Sequence, residues 1–343
     1  MQFGKLGSSL NKLFKVFQHK KGGLAFFFPQ RRPRLFRPEY QKFLLAKVEG
    51  YREDATIKDV LLRFHSLEKL MNQNKDGRRY FLRAYRQMTE AIEYGMVSKQ
   101  QSPKEEDKVW QDPASLEWLE KLDVRFAQLY FQRLEAICLE LEGVPDCWRQ
   151  AFEKASLKPA LPFLSLVSGI NAHLLYDLSE ALKQNAVYGS PQEQARQELF
   201  MAINTLIKRS INPIKRPVLR SRHEGFFDFL NELFGGAINV ITYNWFARQR
   251  LVAWDNGKKL AQGEIDLNLL DRQASLFVAD LNRPMGLLNL IWKIVVRGLG
   301  SSETTSAGPK AARLKTSTNL ELVAPNKPVE LEDLEALPLS QPS

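Results

Sequence analysis

Cysteine and histidine are scarce in this chain, and both shortages narrow its possible chemistry. The 343 residues include two cysteines, Cys138 and Cys147, which are too few for a disulfide framework and lack the spacing of a zinc site. Only four histidines occur, namely His19, His65, His173 and His223. A cluster of several zinc ions needs more imidazole ligands than this set supplies, whereas one divalent metal ion with histidine and carboxylate ligands stays open.

Long apolar runs and the common catalytic motifs are missing as well. No stretch approaches the roughly 20 consecutive apolar residues that span a bilayer, and no secretory signal pattern opens the sequence. We therefore expect a cytoplasmic protein. The sequence also lacks the G-x-S-x-G elbow, the P-loop, the dinucleotide-binding glycines and the H-E-x-x-H zinc motif, so none of those enzyme classes is indicated.

The net charge of +10 belongs mostly to one end of the chain. Residues 1–37 hold nine Lys and Arg and no acid, whereas residues 301–343 hold four basic and six acidic residues. Because the basic charge lies outside the central part, we expect no nucleic-acid-binding face. Residues 1–21 combine lysines with Phe and Leu at helical spacing, a pattern that can lie on an anionic membrane surface. A disordered basic tail, or a first helix docked on the body, is the alternative.

Helical spacing dominates residues 39–300, where apolar residues recur at intervals of three and four and no strand alternation is visible. We predict an all-α fold: a single multi-helix orthogonal bundle with a flexible basic arm over residues 1–38. Residues 301–343 are rich in Ser, Thr, Pro and charge, so we predict a disordered tail there.

Helix boundaries follow from caps and breakers. Thr56 is expected to cap one helix, and Asp112-Pro113 should open another that runs to about Glu142, with Leu141 on its buried face. The remaining predictions are helices near 192–209, 269–281 and 287–299, loops over 98–108 and 212–223, and an apolar hairpin or kinked helix within 226–254.

The chain is expected to be organised around residues 169–182. Read as one helix, this region forms an apolar stripe of Leu166, Ile170, Leu174, Leu178 and Ala181. Asp177 falls inside that stripe, and His173 lies one turn earlier at its edge. Such a pair is costly to bury unless the two groups partner each other, a metal or a ligand.

These residues predict a catalytic or binding pocket. We place Asn171, His173, Asp177 and Asp123 in one cleft, because Asp123 also falls on an apolar helix face. Asp177 or Asp123 would orient His173, which would act as a general base. His173 and Asp177 would be the ligands if one divalent metal ion is bound.

Two arginines, Arg250 and Arg248, are candidates for holding an anionic group of a small-molecule substrate. The alternative is purely structural. His173 and Asp177 would then form a satisfied buried pair, and Asn171 and Asp123 would tie helices together through backbone hydrogen bonds. The same polar residues on apolar faces suit both interpretations.

Several short motifs follow one another in a characteristic order along the chain. They are Asp76-Gly77, Phe81, Tyr85, Thr89, Asp112-Pro113, Leu122-Asp123-Val124, Phe126-Ala127, Tyr130, Pro145, Trp148, the stretch 169–178, Arg250 and Ala253-Trp254. Taken together, these motifs resemble the mainly bacterial domain-of-unknown-function family 5995, whose signature is Asn-Ala-His followed by Asp-Leu. The resemblance covers roughly residues 55–260 and implies an all-helical fold without established chemistry. This chain has Leu174-Leu175 where the family tends to place a polar residue.

The sequence is compatible with two functions. The first is a small-molecule-binding protein or hydrolase-like enzyme with a His/Asp pocket, assisted by a metal if one is bound. The second is a non-catalytic helical module that its basic arm recruits to a membrane surface or a protein partner. Convergence of His173, Asp177, Asp123 and an arginine on a ligand-sized cavity would favour the first.

Overall fold

Helices make up nearly all of the computed structural model, which describes residues 36–49, 55–101, 109–156, 162–185, 188–219 and 237–281. No strand occurs in these ranges, in agreement with the predicted all-α fold. In chain order the α-helices are α1 (Pro38–Val48), α2 (Ile57–Gln73), α3 (Arg79–Gln101), α4 (Pro113–Cys138), α5 (Asp146–Ala155), α6 (Pro162–Ala172), α7 (Leu178–Gln184), α8 (Glu193–Leu219), α9 (Ala237–Gln262) and α10 (Leu267–Leu281). A π-helical turn, His173–Asp177, lies between α6 and α7.

Both predicted N-caps are confirmed. The Thr56 hydroxyl accepts the backbone N–H of Asp59 at 3.3 Å, and the Asp59 carboxylate accepts the N–H of Thr56 at 2.8 Å. This reciprocal capping box satisfies two backbone donors at the start of α2. At the start of α4, Asp112 accepts the N–H of Ser115 at 3.0 Å, and Pro113 takes the first helical position.

The end of α4 was predicted too late in the chain. The helix ends at Cys138 because Glu140 adopts a positive φ of 54°, and the N–H of Leu141 donates back to the carbonyl of Ala136 at 2.9 Å. This is the Schellman end of a helix, a position where glycine is usual and glutamate gives no sequence signal. Leu141, predicted to be buried, is half exposed as a result.

Two predicted loops are helical in part. Helix α8 continues to Leu219, past Pro213 and Pro217, although residues 212–223 were predicted to leave the helix. A proline inside a helix either kinks it or ends it, and here the backbone stays helical past both. Helix α3 likewise extends to Gln101, into the loop predicted over 98–108.

The segment formed by α6, the π-helical turn and α7 lies at the centre of the packing. It contacts α3, α4, α5, α9 and α10, and its most extensive neighbour is α9. The stripe predicted on it is buried throughout: Leu166, Ile170, Leu174, Leu178 and Ala181 are all at most 9% exposed. The prediction that the chain is organised around this segment agrees with these contacts.

Gly169 lets α6 approach α3 closely. A Cβ atom built on Gly169 would lie 2.6 Å from the ring of Phe81, far inside van der Waals contact. Phe81 in turn packs edge-on against the imidazole of His173, with ring centroids 5.5 Å apart. Only glycine at this position allows the Phe81 ring to keep its place beside His173.

Several predictions fall wholly or partly on residues that the structure does not describe: the basic arm over 1–21, the end of the loop predicted over 212–223, the start of the apolar segment predicted within 226–254, the helix near 287–299 and the tail over 301–343. They remain predictions. Within the described ranges, no helix is both long enough and apolar enough to cross a membrane.

Candidate functional site

The central segment changes its helical geometry at the predicted site residues. Between α6 and α7 the backbone forms a π-helical turn, in which the N–H of Leu178 donates to the carbonyl of His173, five residues earlier. The sequence predicted one regular helix here, so the turn is a correction. Turns of this kind insert one extra residue into a helix and are frequent at functional sites.

His173 and Asp177 form a buried hydrogen-bonded pair. Nδ1 of His173 lies 2.9 Å from Oδ2 of Asp177, and the two residues are 3% and 0% exposed. Because the Asp177 carboxylate accepts, Nδ1 carries the proton, and Nε2 of the neutral ring is left as an acceptor. Burial lowers the pKa of His173 below its usual value, although Asp177 opposes this effect.

Two further side chains hold Asp177 in place. The indole N–H of Trp148 donates to Oδ2 at 2.9 Å, and Nε of Arg133 lies 3.5 Å from Oδ1. Arg133 also donates to Glu180 at 2.7 Å. Asp177 therefore accepts two hydrogen bonds, from His173 and Trp148, and forms one ion pair with Arg133, an arrangement that orients it toward His173.

Aromatic rings surround the imidazole of His173. Phe126 stacks on it with ring centroids 3.6 Å apart and planes within 9° of parallel, and Tyr85 contacts it at 4.4 Å in a T-shaped arrangement. Phe81 and Trp148 approach it at 5.5 and 5.9 Å. The ring is thus locked in one rotamer, and its Nε2 atom has no hydrogen-bond partner among the described residues.

His173, whose Nε2 atom is without a partner in the described structure, lines a cavity of about 40 Å³. The wall of this cavity is formed by α3, α4, the central segment, α8 and α9. This volume exceeds the ~10–15 Å³ that one ordered water needs. The wall is mostly apolar and includes Met88, Ile92, Leu119, Leu122, Leu174, Ile203 and Phe246. Its polar members are Thr89, Asp123, His173, Arg250 and the phenol of Tyr85.

Asp123 and Arg250 face this cavity with opposite charge but without direct contact. Asp123 is 6% exposed and Arg250 is 5% exposed. Burial raises the pKa of Asp123 to about 7, although the charge of Arg250 opposes the shift. Burial likewise lowers the pKa of Arg250 to about 10, so the guanidinium stays charged at neutral pH. In the described structure, Oδ2 of Asp123 and Nε of Arg250 have no hydrogen-bond partner.

Three of the predicted site residues therefore converge, namely His173, Asp123 and Arg250. Asp177 does not line the cavity and acts only through His173. Asn171 lies elsewhere: its side-chain amide donates to the backbone carbonyl of Ala274 at 2.9 Å, which ties α6 to α10. Arg248 also lies outside the cavity wall, because its side chain is exposed.

Three residues of the candidate site were not predicted as site residues from the sequence. Thr89 is fully buried on the cavity wall, with no hydrogen-bond partner for its hydroxyl within the described part of the chain. Its spacing of four from Tyr85 on α3 was the available signal. Trp148 and Arg133 act from other helices, and no spacing in the sequence links them to Asp177.

The described residues contain no group of three or more His, Cys, Asp and Glu side chains arranged to hold a metal ion. His173 and Asp177, the predicted metal ligands, use Nδ1 and Oδ2 for each other. A metal bound by both would have to replace that hydrogen bond or reach Nε2 and Oδ1 on different sides of the pair.

One comparison with known proteins gave a match. A family model described as a family of unknown function, DUF5995, matches residues 57–284, which is more than half of the chain. No curated protein and no solved structure matched significantly.

Proposed function

This chain belongs to the DUF5995 family, whose function is unknown, and we propose that it is a small-molecule enzyme of the hydrolase type. One observation carries the proposal: a neutral imidazole is anchored through Nδ1 on Asp177, while its partnerless Nε2 belongs to a cavity-lining residue. A structural His–Asp pair needs no such cavity. A general base needs both the anchored nitrogen and the available one.

The proton transfers follow from this geometry. Nε2 of His173 takes a proton from a water molecule in the cavity, and the hydroxide adds to the carbonyl carbon of an ester. The carbon–oxygen bond to the leaving alcohol then breaks, and the imidazolium returns its proton to the alcohol oxygen. Asp177 stabilises the imidazolium at 2.9 Å. Asp123, whose pKa is raised to about 7, can donate or accept a second proton near neutral pH.

The test is hydrolysis of p-nitrophenyl acetate and butyrate by the full-length protein. We expect His173→Gln to lower kcat/KM by at least about 100-fold, because it removes the base, and Asp177→Asn to lower it by about 10–100-fold, because it removes the orienting acceptor. His65→Gln is the matched control, since His65 is largely exposed and pairs with Glu90 at 3.2 Å, and it should hydrolyse at the wild-type rate.

Equal rates in the wild type and a folded His173→Gln variant would overturn the proposal, and so would a wild-type rate no higher than that of buffer. Circular dichroism of each variant separates loss of the base from loss of the fold. A pH profile of kcat/KM that loses its acid limb in His173→Gln would give further support, because that limb reports protonation of the free imidazole.

A further inference from the structure

Arg250 carries a buried positive charge that no carboxylate of the described residues contacts. Its Nη2 atom donates to the backbone carbonyl of Phe200 at 2.8 Å, and the guanidinium lies 4.0 Å from the centroid of the Phe200 ring. Among the described residues nothing accepts from its Nε. A buried cation is unfavourable unless a counter-charge compensates it, so the arrangement is incomplete without an anion.

Among the described residues that line the cavity, Asp123 is the only carboxylate, and it compensates Arg250 only in part. The two side chains form neither a hydrogen bond nor an ion pair in the described structure. With its pKa raised to about 7 by burial, Asp123 is ionised in only part of the molecules at neutral pH. At ~10–15 Å³ per water molecule, the cavity volume of about 40 Å³ leaves room beside Arg250 for a carboxylate of about two carbons.

The rest of the cavity defines what such an anion must carry. Apart from its few polar residues the wall consists of aliphatic and aromatic side chains, among them Ile92, Leu119, Leu122, Ile203 and Ile207. One guanidinium suits a single negative charge better than a phosphate dianion, which needs more donors. The complementary ligand has one carboxylate and a short hydrocarbon body.

We infer that the cavity binds a small apolar monocarboxylate, whose carboxylate pairs with Arg250 and whose hydrocarbon body lies against the apolar wall. This inference rests on the proposed function, since it names the class of substrate or product for the same cavity. It fits ester hydrolysis, which releases a carboxylate beside His173.

A second consequence concerns pH. An ionised Asp123 repels the bound carboxylate, so binding favours the protonated form and should weaken as the pH rises through about 7. The charged groups that act on Asp123 are Arg250 from α9 and Glu120 from its own helix, while His173 and Tyr85 share the cavity wall. Replacing Asp123 by Asn should remove this pH dependence.

Isothermal titration calorimetry of the full-length protein with acetate tests the inference, with acetamide as the neutral analogue. We expect acetate to bind and acetamide to bind much more weakly. Arg250→Gln should weaken acetate binding by at least about tenfold, because it removes the charge partner. Arg248→Gln, an exposed position two residues away on the same helix, is the matched control and should bind as the wild type does.

Equal affinity for acetate and acetamide, or unchanged acetate binding by Arg250→Gln, would contradict the inference. If Arg250→Gln fails to fold, Asp123→Asn provides the decision: acetate should bind it more tightly than the wild type at alkaline pH, and unchanged affinity there would also contradict the inference. The two proposals fail separately. Acetate can bind to a protein without esterase activity, and His173-dependent esterase activity can occur without acetate binding.

Discussion

Two buried acid–arginine pairs in this molecule use the same residue types in opposite ways. At the start of α3, Asp76 and Arg78 are in direct contact, with Nη2 of Arg78 2.7 Å from Oδ2 of Asp76. The hydroxyl of Tyr40 donates to the same carboxylate at 2.6 Å. In the cavity, Asp123 and Arg250 influence each other only through space and leave an oxygen and a nitrogen without partners among the described residues.

This contrast distinguishes a pair that stabilises the fold, Asp76 with Arg78, from a pair at the candidate site, Asp123 with Arg250. The Asp76 cluster is closed: the Arg78 guanidinium covers the ring of Phe36 at 3.9 Å, and the cluster joins α1 to the turn before α3. The Asp123 pair lies on the wall of a cavity, and its two side chains interact through space without a hydrogen bond to each other. A pair that only stabilised the fold would be expected to form a direct hydrogen-bonded contact, because each buried polar group without a partner lowers stability by about 1–3 kcal/mol.

The largest predicted difference is in stability at neutral pH. Asp76→Asn should lower the free energy of unfolding by about 3–5 kcal/mol, because it leaves the buried charge of Arg78 without its counter-ion. Asp123→Asn should leave stability unchanged or increase it, since the wild-type carboxyl has no close partner to lose. Urea denaturation of both variants measures the two values. A loss of similar size in both variants would remove the contrast.

The second prediction concerns pH. The pKa of Asp123 is raised in the folded state to about 7, so the folded protein binds a proton that the unfolded chain has already released. Stability relative to Asp123→Asn should therefore fall as the pH rises from about 4 to 7, by up to ~1.4 kcal/mol per pH unit, and stay constant above that range. Urea midpoints of wild type and variant across this range provide the measurement. A difference that is independent of pH would show that the Asp123 carboxyl is not desolvated.

The smallest predicted effect compares two hydroxyl groups. Tyr40→Phe should cost about 1–3 kcal/mol, because it removes a buried donor to Asp76. Thr89→Val removes a hydroxyl that has no partner in the described structure, so stability should change by less than about 0.5 kcal/mol or rise. Thermal unfolding of both variants is the measurement. A larger loss of stability in Thr89→Val than in Tyr40→Phe would mean that an ordered water molecule in the cavity already hydrogen-bonds to the Thr89 hydroxyl.

Much of the fold was predictable because helix starts and apolar spacing are local. Thr56 and Asp112 gave the starts of two helices, and His173 and Asp123 were recognised as polar residues on apolar faces. Helix ends were less predictable. The positive φ of Glu140 and the continuation of α8 to Leu219 depend on backbone geometry that those residue types do not announce.

Three of the cavity residues, His173, Asp123 and Arg250, were predictable from the sequence, but their arrangement was not. Arg250 and Arg248 are two positions apart, so they point to different sides of α9, and a helix whose apolar residues are not gathered on one face did not reveal which side faces inward. The π-helical turn was also hidden, because a spacing of four between Ile170, Leu174 and Leu178 suits a regular α-helix as well as one with an inserted residue. Asp76 was named only for the family resemblance, and its role in an ionic cluster needed the contact with Arg78.

Gly169 controls the size of the cavity indirectly, through the position of the Phe81 ring. Since any side chain there would collide with the Phe81 ring, that ring would have to move away from α6, against Tyr85, Tyr130 and Trp148, which pack on it. Phe81 is itself part of the cavity wall, whereas Gly169 is not. A substitution at Gly169 would thus alter the room available to a ligand from outside the cavity wall.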